Sequence, residues 1–210
     1  MTESPSDSIR ERNQKKILIA AEFEFEQHGF GGARMQSIAD RAELPKANIH
    51  YYYKNKKELY IAVLSGITQL WNDAFDRISP DDDPASALET YIRAKLAYSQ
   101  SNPVGARIFS NEIIHGAPHL QDYLNTDLRS WVAERATVIQ SWIDRGLIIA
   151  VDPYHLIFLI WSATQHYADY YSQIIAIQGK TSLSNEDFQS IGDSLVRFIL
   201  TGCGLSNKPG

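Results

Sequence analysis

The spacing of apolar residues constrains the fold of this chain more than any other feature of its sequence. Apolar side chains recur at intervals of three and four, as in Ile17, Ala21 and Phe25, which places them on one face of a helix. The alternation of apolar and polar residues that marks a half-buried strand is nearly absent. The sequence therefore predicts an all-α fold of about nine helices without a sheet.

Helix-capping and helix-breaking residues set the approximate bounds of these helices. Gly29 ends the first helix and Pro45 stands at the first position of the third. Asp152 caps the eighth helix, which is predicted to run unbroken to Gly179. The acidic, turn-forming segment 79–86 separates the fourth helix from the fifth. The nine predicted helices span about 9–28, 35–42, 46–52, 55–78, 85–99, 102–115, 120–145, 152–179 and 184–201.

Composition and the N-terminal residues bear on where the protein works. The single cysteine, Cys203, allows no intramolecular disulfide and fits a reducing compartment. The first sixteen residues lack the apolar core of a signal peptide. The longest apolar run is shorter than the ~18 residues that a membrane span requires. We therefore expect a cytoplasmic protein that does not enter a membrane.

Charge is distributed unevenly along the chain. Residues 34–57 contain six Lys and Arg against two Asp and Glu, although the formal net charge of the whole chain is −5. A locally basic element on an acidic body indicates a small surface for a polyanion. The alternative is that the charges only solvate a helical face.

The basic segment has the proportions of a helix-turn-helix, with two short helices joined by a tight turn. Side chains such as Lys46 and Asn48 address base edges, whereas lysines and tyrosine hydroxyls suit phosphate oxygens. We predict a DNA-binding domain over residues 1–56 and a ligand-binding and dimerisation domain over 57–210. The predicted contacts to double-stranded DNA are Arg34, Gln36, Lys46, Ala47, Asn48, His50, Tyr51, Tyr52, Lys54 and Lys56.

Residues 17–64 resemble the DNA-binding signature of the TetR family of bacterial repressors. The matching features are the AA…F…G run of the first helix, SIA at 37–39, and Tyr51 followed by K-x-K-K-E-L-Y at 54–60. The resemblance implies a homodimer whose two recognition helices enter successive major grooves of a palindromic operator. Glu43 stands where the family usually has glycine in the turn. A glutamate at positive φ costs about 1 kcal/mol, so we expect a slightly different turn here.

The last predicted helix carries a narrow apolar seam suited to packing against another helix. The predicted dimer interface consists of this seam, together with two aromatic residues of the eighth helix. An internal core stripe is the alternative explanation of the seam. The residues concerned are Phe188, Ile191, Leu195, Phe198, His166 and Tyr167.

The stretch WSATQHYADYY, residues 161–171, places polar groups inside an apolar helix. Trp161, Gln165 and Asp169 recur every four residues and share one side of that helix. An aromatic face, an amide and a carboxylate are the groups of a small-molecule pocket. In the alternative reading, Gln165 and Asp169 satisfy one another and Trp161 is core. Trp71 is predicted as the opposite wall, and Arg107, Ser110 and Asn111 as further lining.

Residues 106–120 and 152–171, together with 91–93 and 95–96, resemble the pyrimidine-utilisation regulators of the same family. That resemblance implies an effector such as uracil or thymine and release of DNA when it binds. Ligand contacts on the eighth helix and Trp71 are expected to shift the fourth helix and so change the spacing of the recognition helices. Two alternatives remain: a different planar metabolite that governs another pathway or efflux, and an interaction module with a protein effector or none.

Motifs of catalysis are missing from the sequence, which contains no G-x-S-x-G, P-loop, G-x-G-x-x-G or C-x-x-C. We therefore predict that the protein is not an enzyme. His115 and His119 have a metal-compatible interval, but Pro118 interrupts it and no acidic partner is evident. No metal or cofactor is predicted, and Cys203 is interpreted as a structural thiol.

Overall fold

The computed structural model describes residues 5–72 and 75–205, with the side chains of residues 9–69 and 75–205. Ten helices and no strand lie within the described residues, so the predicted all-α fold is confirmed. None of these helices is long and apolar enough to cross a membrane. The helices are α1 (Pro5–Gly32), α2 (Met35–Ala42), α3 (Lys46–Tyr52), α4 (Lys56–Asn72), α5 (Pro84–Ser101), α6 (Pro103–Ile114), α7 (Gln121–Tyr123, a π-helical Leu124–Leu128, and Arg129–Asp144), α8 (Pro153–Asp169), α9 (Tyr171–Gln178) and α10 (Asn185–Gly202).

The prediction of one unbroken helix from 152 to 179 is wrong. Tyr170 has the non-helical angles φ −110° and ψ 24°, and it separates α8 from α9. The hydroxyl of Tyr171 accepts a hydrogen bond from the backbone N–H of Leu183 at 3.0 Å. This contact ties the start of α9 to the segment before α10.

Gly29 ends the long stretch of α1 as predicted, because it adopts φ 62° and ψ 176°, a non-helical conformation open to glycine. A short helical segment after it extends α1 to Gly32, which leaves a shorter loop than predicted. The end of α4 differs from the prediction. α4 ends at Asn72 rather than near residue 78, and residues 75–77 form a turn.

Contacts within the chain divide it into two compact units. The first unit comprises Met1–Thr68 and Arg107–Leu120, and the second comprises Gln69–Ala106 and Gln121–Gly210. α4 contributes residues to both units. The predicted boundary after residue 56 therefore stays a prediction.

The first unit is built on α1, α2 and α3, which pack in chain order. The predicted stripe Ile17, Ala21 and Phe25 is buried, at 0%, 0% and 2% exposure. Ile38 of α2 and Ile49 of α3 are fully buried as well. Burying side chains of this size stabilises the unit by roughly 1.5–3 kcal/mol each, which fixes the angle at which α3 is presented.

The turn between α2 and α3 places Glu43 at positive φ. Glu43 adopts the left-handed conformation, φ 55° and ψ 41°, and caps α2. The N–H of Leu44 donates to the carbonyl of Ala39 at 3.1 Å, which closes the turn. The expected difference between this turn and that of the family stays a prediction. Pro45 is the N-cap residue of α3 and not its first helical residue.

The second unit is organised around α5, which packs against both α8 and α10. Its fully buried core includes Phe75, Tyr91, Ile92 and Trp142. Cys203, at the end of α10, belongs to the same core and is 1% exposed. Burial raises the pKa of its thiol, which agrees with a structural role.

Candidate DNA-binding and effector sites

α3 presents most of the predicted DNA contacts to solvent. Its buried Ile49 anchors the helix, and the neighbouring polar side chains therefore point outward. The ring of Tyr51 is 75% exposed and meets Tyr52 edge-on at 5.3 Å. Asn48, Tyr52 and Lys56 are half-buried, and the remaining predicted contacts are exposed: Arg34, Gln36, Lys46, Ala47, His50, Tyr51 and Lys54.

Lys56 differs from the other predicted contacts because it also bonds within the first unit. Its ammonium donates to the carbonyls of Gly31 at 3.3 Å and Ala33 at 3.0 Å. It also lies 4.7 Å from the centre of the Phe30 ring. These contacts hold the start of α4 against the end of α1. A phosphate contact by Lys56 stays a prediction, with two of its three N–H groups already engaged.

Trp161, Gln165 and Asp169 lie on one side of α8 as predicted, and α5 packs against this helix. The indole N–H of Trp161 donates to the hydroxyl of Tyr91 on α5 at 2.5 Å. Its ring also stacks on that of Trp131 at a centroid distance of 6.4 Å. Trp161 is therefore fixed in orientation by an aromatic cluster.

Lys95 of α5 introduces a charge that the sequence reasoning did not place at this site. It is one helical turn after Tyr91 and 5% exposed. Burial lowers the pKa of Lys95 to about 7, and the charge of Asp169 opposes that shift. One carboxylate oxygen of Asp169 is itself buried. A lysine and a carboxylate thus interact in the interior beside Trp161 and Gln165.

The same cluster reaches the segment that follows α4. The ring of Tyr91 stacks on that of Phe75 at 4.0 Å and an interplanar angle of 11°. Arg135 of α7 donates to the carbonyls of Phe75 at 2.8 Å and Asp76 at 3.0 Å. Residues 75 and 76 are therefore held from both sides within the second unit.

Three polar residues predicted at the effector site belong to the first unit, whereas Trp161 belongs to the second: Arg107, Ser110 and Asn111. Arg107 forms an ion pair with Glu26 at 2.8 Å. The contribution of these three residues to the effector site stays a prediction. Thr164 is fully buried, but its hydroxyl donates to the carbonyl of Ile160 within the helix at 2.8 Å. The side chain of Trp71 lies outside the described residues.

The predicted dimer seam does not form one continuous outer face. Phe188 is only 8% exposed and Leu195 packs against the core, whereas Phe198 is 68% exposed. Ile191 and Tyr167 are half-buried, and the exposed His166 stacks on Tyr170 at 4.7 Å. Phe188 and Leu195 pack within the protomer, because α10 contacts α5. The predicted dimer interface stays a prediction. Further large apolar side chains are exposed on α8, on α9 and at the residue between them: Tyr154, Phe158, Leu159, Ile177 and Tyr170.

The two histidines after α6 are arranged differently from the prediction. His119 does have an acidic neighbour, because its Nδ1 lies 3.3 Å from a carboxylate oxygen of the buried Glu112. Nδ1 of His115 lies 2.7 Å from the carbonyl of Asn111. Among the residues that the structure describes, no group of three or more His, Cys, Asp or Glu could hold a metal ion.

Comparison with known proteins covers most of the chain. The family described as "Bacterial regulatory proteins, tetR family" matches residues 17–63, and that described as "YcdC-like protein, C-terminal region" matches residues 64–206. The HTH-type transcriptional regulator RutR of Escherichia coli O157:H7 is 40% identical over 189 residues, or 90% of this chain and 89% of the relative. The chain belongs to the TetR family.

A further relative and two solved structures are also similar to this chain. The HTH-type transcriptional repressor NicS of Pseudomonas putida is 30% identical over 65% of this chain and 64% of its own. The solved structure of the Streptomyces coelicolor regulator SCO4942 has a TM-score of 0.72 at 22% identity, covering 90% of this chain and 97% of its own. AibR, solved with isovaleryl coenzyme A and operator DNA, has a TM-score of 0.67 at 18% identity, covering 89% and 97%. Both structures share the fold.

Family membership defines the general activity. TetR-family regulators bind operator DNA and small-molecule effectors and act as dimers. The relatives are transcriptional regulators and not enzymes. The protein is therefore a DNA-binding transcriptional regulator.

Tyr91 and Lys95 are the residues of the candidate effector site that sequence reasoning missed. The available signal was a lysine at a core position, since Leu88, Ile92 and Ser99 share the buried side of α5 with them. Lysine is almost never fully buried unless paired. Its partner, Asp169, is too distant in the sequence for spacing to reveal the pair.

Proposed function

We propose that this TetR-family protein is a repressor that a pyrimidine base, uracil or thymine, releases from a palindromic operator controlling pyrimidine-utilisation genes. The observation that carries the proposal is the group formed by the buried Lys95 and the half-buried Trp161, Gln165 and Asp169. The identity of 40% to RutR and the resemblance of residues 106–120 and 152–171 to pyrimidine-utilisation regulators support it.

The chemistry of this group matches a pyrimidine dione. The edge of such a ring alternates carbonyl acceptors with an N–H donor. Lys95 offers donors, Asp169 offers acceptors, and the amide of Gln165 offers one of each. The indole of Trp161 supplies a flat apolar face on which the ring stacks. A buried polar set of this kind discriminates strongly, because a ligand that lacks a matching group leaves a protein group unsatisfied.

The aromatic cluster connects the ligand group to Phe75, which follows α4 in the sequence. Trp161 bonds Tyr91, and Tyr91 stacks on Phe75, three residues after the end of α4. A ligand that favours one position of Trp161 would thereby favour one position of the segment that continues α4. Release of DNA requires that the ligand bind one spacing of the recognition helices better than the other.

Tryptophan fluorescence tests the proposal on the full-length dimer. We expect micromolar uracil or thymine to quench emission, and unrelated amines to leave it unchanged. Gln165→Ala removes one donor and one acceptor, and we expect it to abolish the quenching and the release of operator DNA. Operator affinity without ligand should be unchanged, because Gln165 belongs to the second unit.

Gln140→Ala is the matched control, since Gln140 is an exposed glutamine on α7 that bonds Asp144 at 2.8 Å. This variant should respond like the parent protein. A flat titration of the parent with intact operator binding would reject the pyrimidine effector and leave a TetR-family regulator of another ligand. A calorimetric screen of pyrimidines and their breakdown products would then identify the class.

A further inference from the structure

A cavity of about 370 Å³ lies inside the first unit, apart from the candidate effector site. It is lined by the end of α1, by α4, and by α6 with the turn that follows. Its walls are mainly apolar and aromatic, and they include Phe25, Phe30, Tyr60 and Ile108. The volume and the lining are in the range of small-molecule sites.

Three of these rings form a continuous aromatic wall. Tyr60 lies 4.7 Å from Phe25 and 5.1 Å from Phe30, measured between ring centres. The imidazole of His119 extends the wall, at 4.2 Å from Phe30 and 5.2 Å from Tyr60. The ammonium of Lys56 lies on the Phe30 ring at 4.7 Å, so a ring of this wall already attracts a cation.

Glu112 supplies a carboxylate to the cavity and is only 4% exposed. It accepts hydrogen bonds from the Tyr60 hydroxyl at 3.1 Å and from the backbone N–H of His119 at 2.6 Å. Burial and the charge of Glu112 together raise the pKa of Tyr60. Among the described residues that line the cavity, Glu112 is the acidic residue. His115 and His119 also line it, and no Lys or Arg does.

A negative charge held in a low-dielectric aromatic enclosure favours a ligand of opposite charge. Aromatic faces attract organic cations, and a carboxylate adds a charge-assisted hydrogen bond to an ammonium. From this geometry we infer a second ligand site that binds a small organic cation, a protonated amine on an aromatic body. The amine donates to Glu112, and the body packs against Phe30 and Tyr60.

Calorimetry with benzylamine tests the site on the full-length protein, with benzyl alcohol as the neutral isostere and benzoate as the anion. We expect benzylamine to bind at least about tenfold more tightly than benzyl alcohol, and benzoate not to bind. Glu112→Gln should lower the benzylamine affinity by at least about tenfold and leave that of benzyl alcohol unchanged. The exposed Glu134→Gln is the matched control and should bind benzylamine like the parent.

Glu112 also fastens the turn that contains Gly116 and Ala117, both at positive φ, so a second variant avoids that network. Asn111 is exposed and lines the cavity. Asn111→Arg places a tethered guanidinium at the cavity and should abolish benzylamine binding, whereas Asn111→Gln should retain it. The inference would be overturned if the parent bound benzylamine no better than benzyl alcohol. It would also be overturned if Glu112→Gln and Asn111→Arg bound benzylamine as tightly as the parent does.

The outcome is separable from the proposed pyrimidine response. Gln165→Ala should still bind benzylamine, and Asn111→Arg should still bind uracil, because the two residues belong to different units. Loss of both ligands in one of these variants would contradict two independent sites.

Discussion

The helix-turn-helix and the candidate effector site show two ways in which polar side chains are placed. On α3 they surround one buried anchor, Ile49, and face solvent. At the effector site they lie inside the second unit, where Lys95 is 5% exposed and interacts with Asp169. Exposed groups are hydrated until DNA replaces the water, whereas buried groups must satisfy one another within the protein.

This difference predicts whether a substitution affects DNA binding or the stability of the protein. A polar change on α3 removes an interaction with a partner and leaves folding nearly intact. A polar change in the buried group alters the balance of charge in the core, so it should change stability before any ligand is added. The following predictions test that contrast, from the largest expected effect to the smallest.

Lys95→Met should lower the free energy of unfolding by about 3 kcal/mol, because it removes the positive charge near the half-buried carboxylate of Asp169, one oxygen of which is buried. The double variant Lys95→Met, Asp169→Leu should recover most of that loss. Denaturant unfolding at a fixed protomer concentration measures both effects. Lys54→Met, at an exposed lysine next to α3, is the control and should change stability by less than about 0.5 kcal/mol. If Lys95→Met and Lys54→Met lost the same free energy of unfolding, buried and exposed polar positions would not differ as proposed.

Asn48→Ala should weaken operator binding by about 1–3 kcal/mol and relax sequence preference, as expected for a contact to a base edge. Lys54→Ala should weaken binding to all sequences and reduce the slope of log affinity against log salt by about 1. Fluorescence anisotropy at several salt concentrations measures both. Arg129→Ala, at an exposed arginine of the second unit, should bind like the parent. Affinity that did not fall steeply with salt would contradict binding led by phosphate contacts.

The stability of the parent should rise with pH above about pH 7, and the rise should depend on Lys95. The pKa of Lys95 is lowered from 10.5 to about 7 in the folded protein, so over this window the unfolded chain binds a proton that the folded chain has lost. The slope is at most about 1.4 kcal/mol per pH unit. Unfolding curves of the parent and Lys95→Met between about pH 6 and pH 8.5 measure the difference. If the stability of the parent and that of Lys95→Met changed equally with pH, Lys95 would not be the group that causes the rise.

Glu43→Gly should stabilise the first unit by up to about 1 kcal/mol, because glycine adopts the left-handed conformation without the steric penalty of a side chain. The Lys16 contact that it removes is 3.7 Å long and exposed, and such pairs contribute little. Thermal unfolding compares this variant with Glu43→Ala, which keeps the penalty and should show no gain. A destabilised Glu43→Gly would show that the Glu43 side chain contributes more than its conformation costs.

Sequence reasoning predicted the local parts of both regions. α2 and α3 were predicted with the bounds that the structure has, because caps, glycines and apolar spacing are encoded within a few residues. The stripe of Trp161, Gln165 and Asp169 was predicted for the same reason. Glu43 adopts the left-handed conformation that glycine prefers, because the tertiary packing of α2 and α3 outweighs a local preference of about 1 kcal/mol.

The parts that the sequence did not reveal depend on long-range pairing. Lys95 meets Asp169 across two helices, and Glu112 meets Tyr60 across 52 residues of chain. The break at Tyr170 lies between Asp169 and Tyr171, with no glycine or proline to mark it. No periodicity within one helix indicates which residue of another helix will face it.

The burial of Cys203 has a practical consequence for measuring how the dimer moves. A thiol that is 1% exposed and whose pKa is raised by burial contains little thiolate and reacts slowly with alkylating probes. A cysteine introduced at an exposed position of α3, such as Ala47, would therefore take up a nitroxide label selectively in the otherwise natural sequence. Pulsed electron resonance between the two labels of a dimer would then serve as a molecular ruler for the distance between the recognition helices, with and without a pyrimidine.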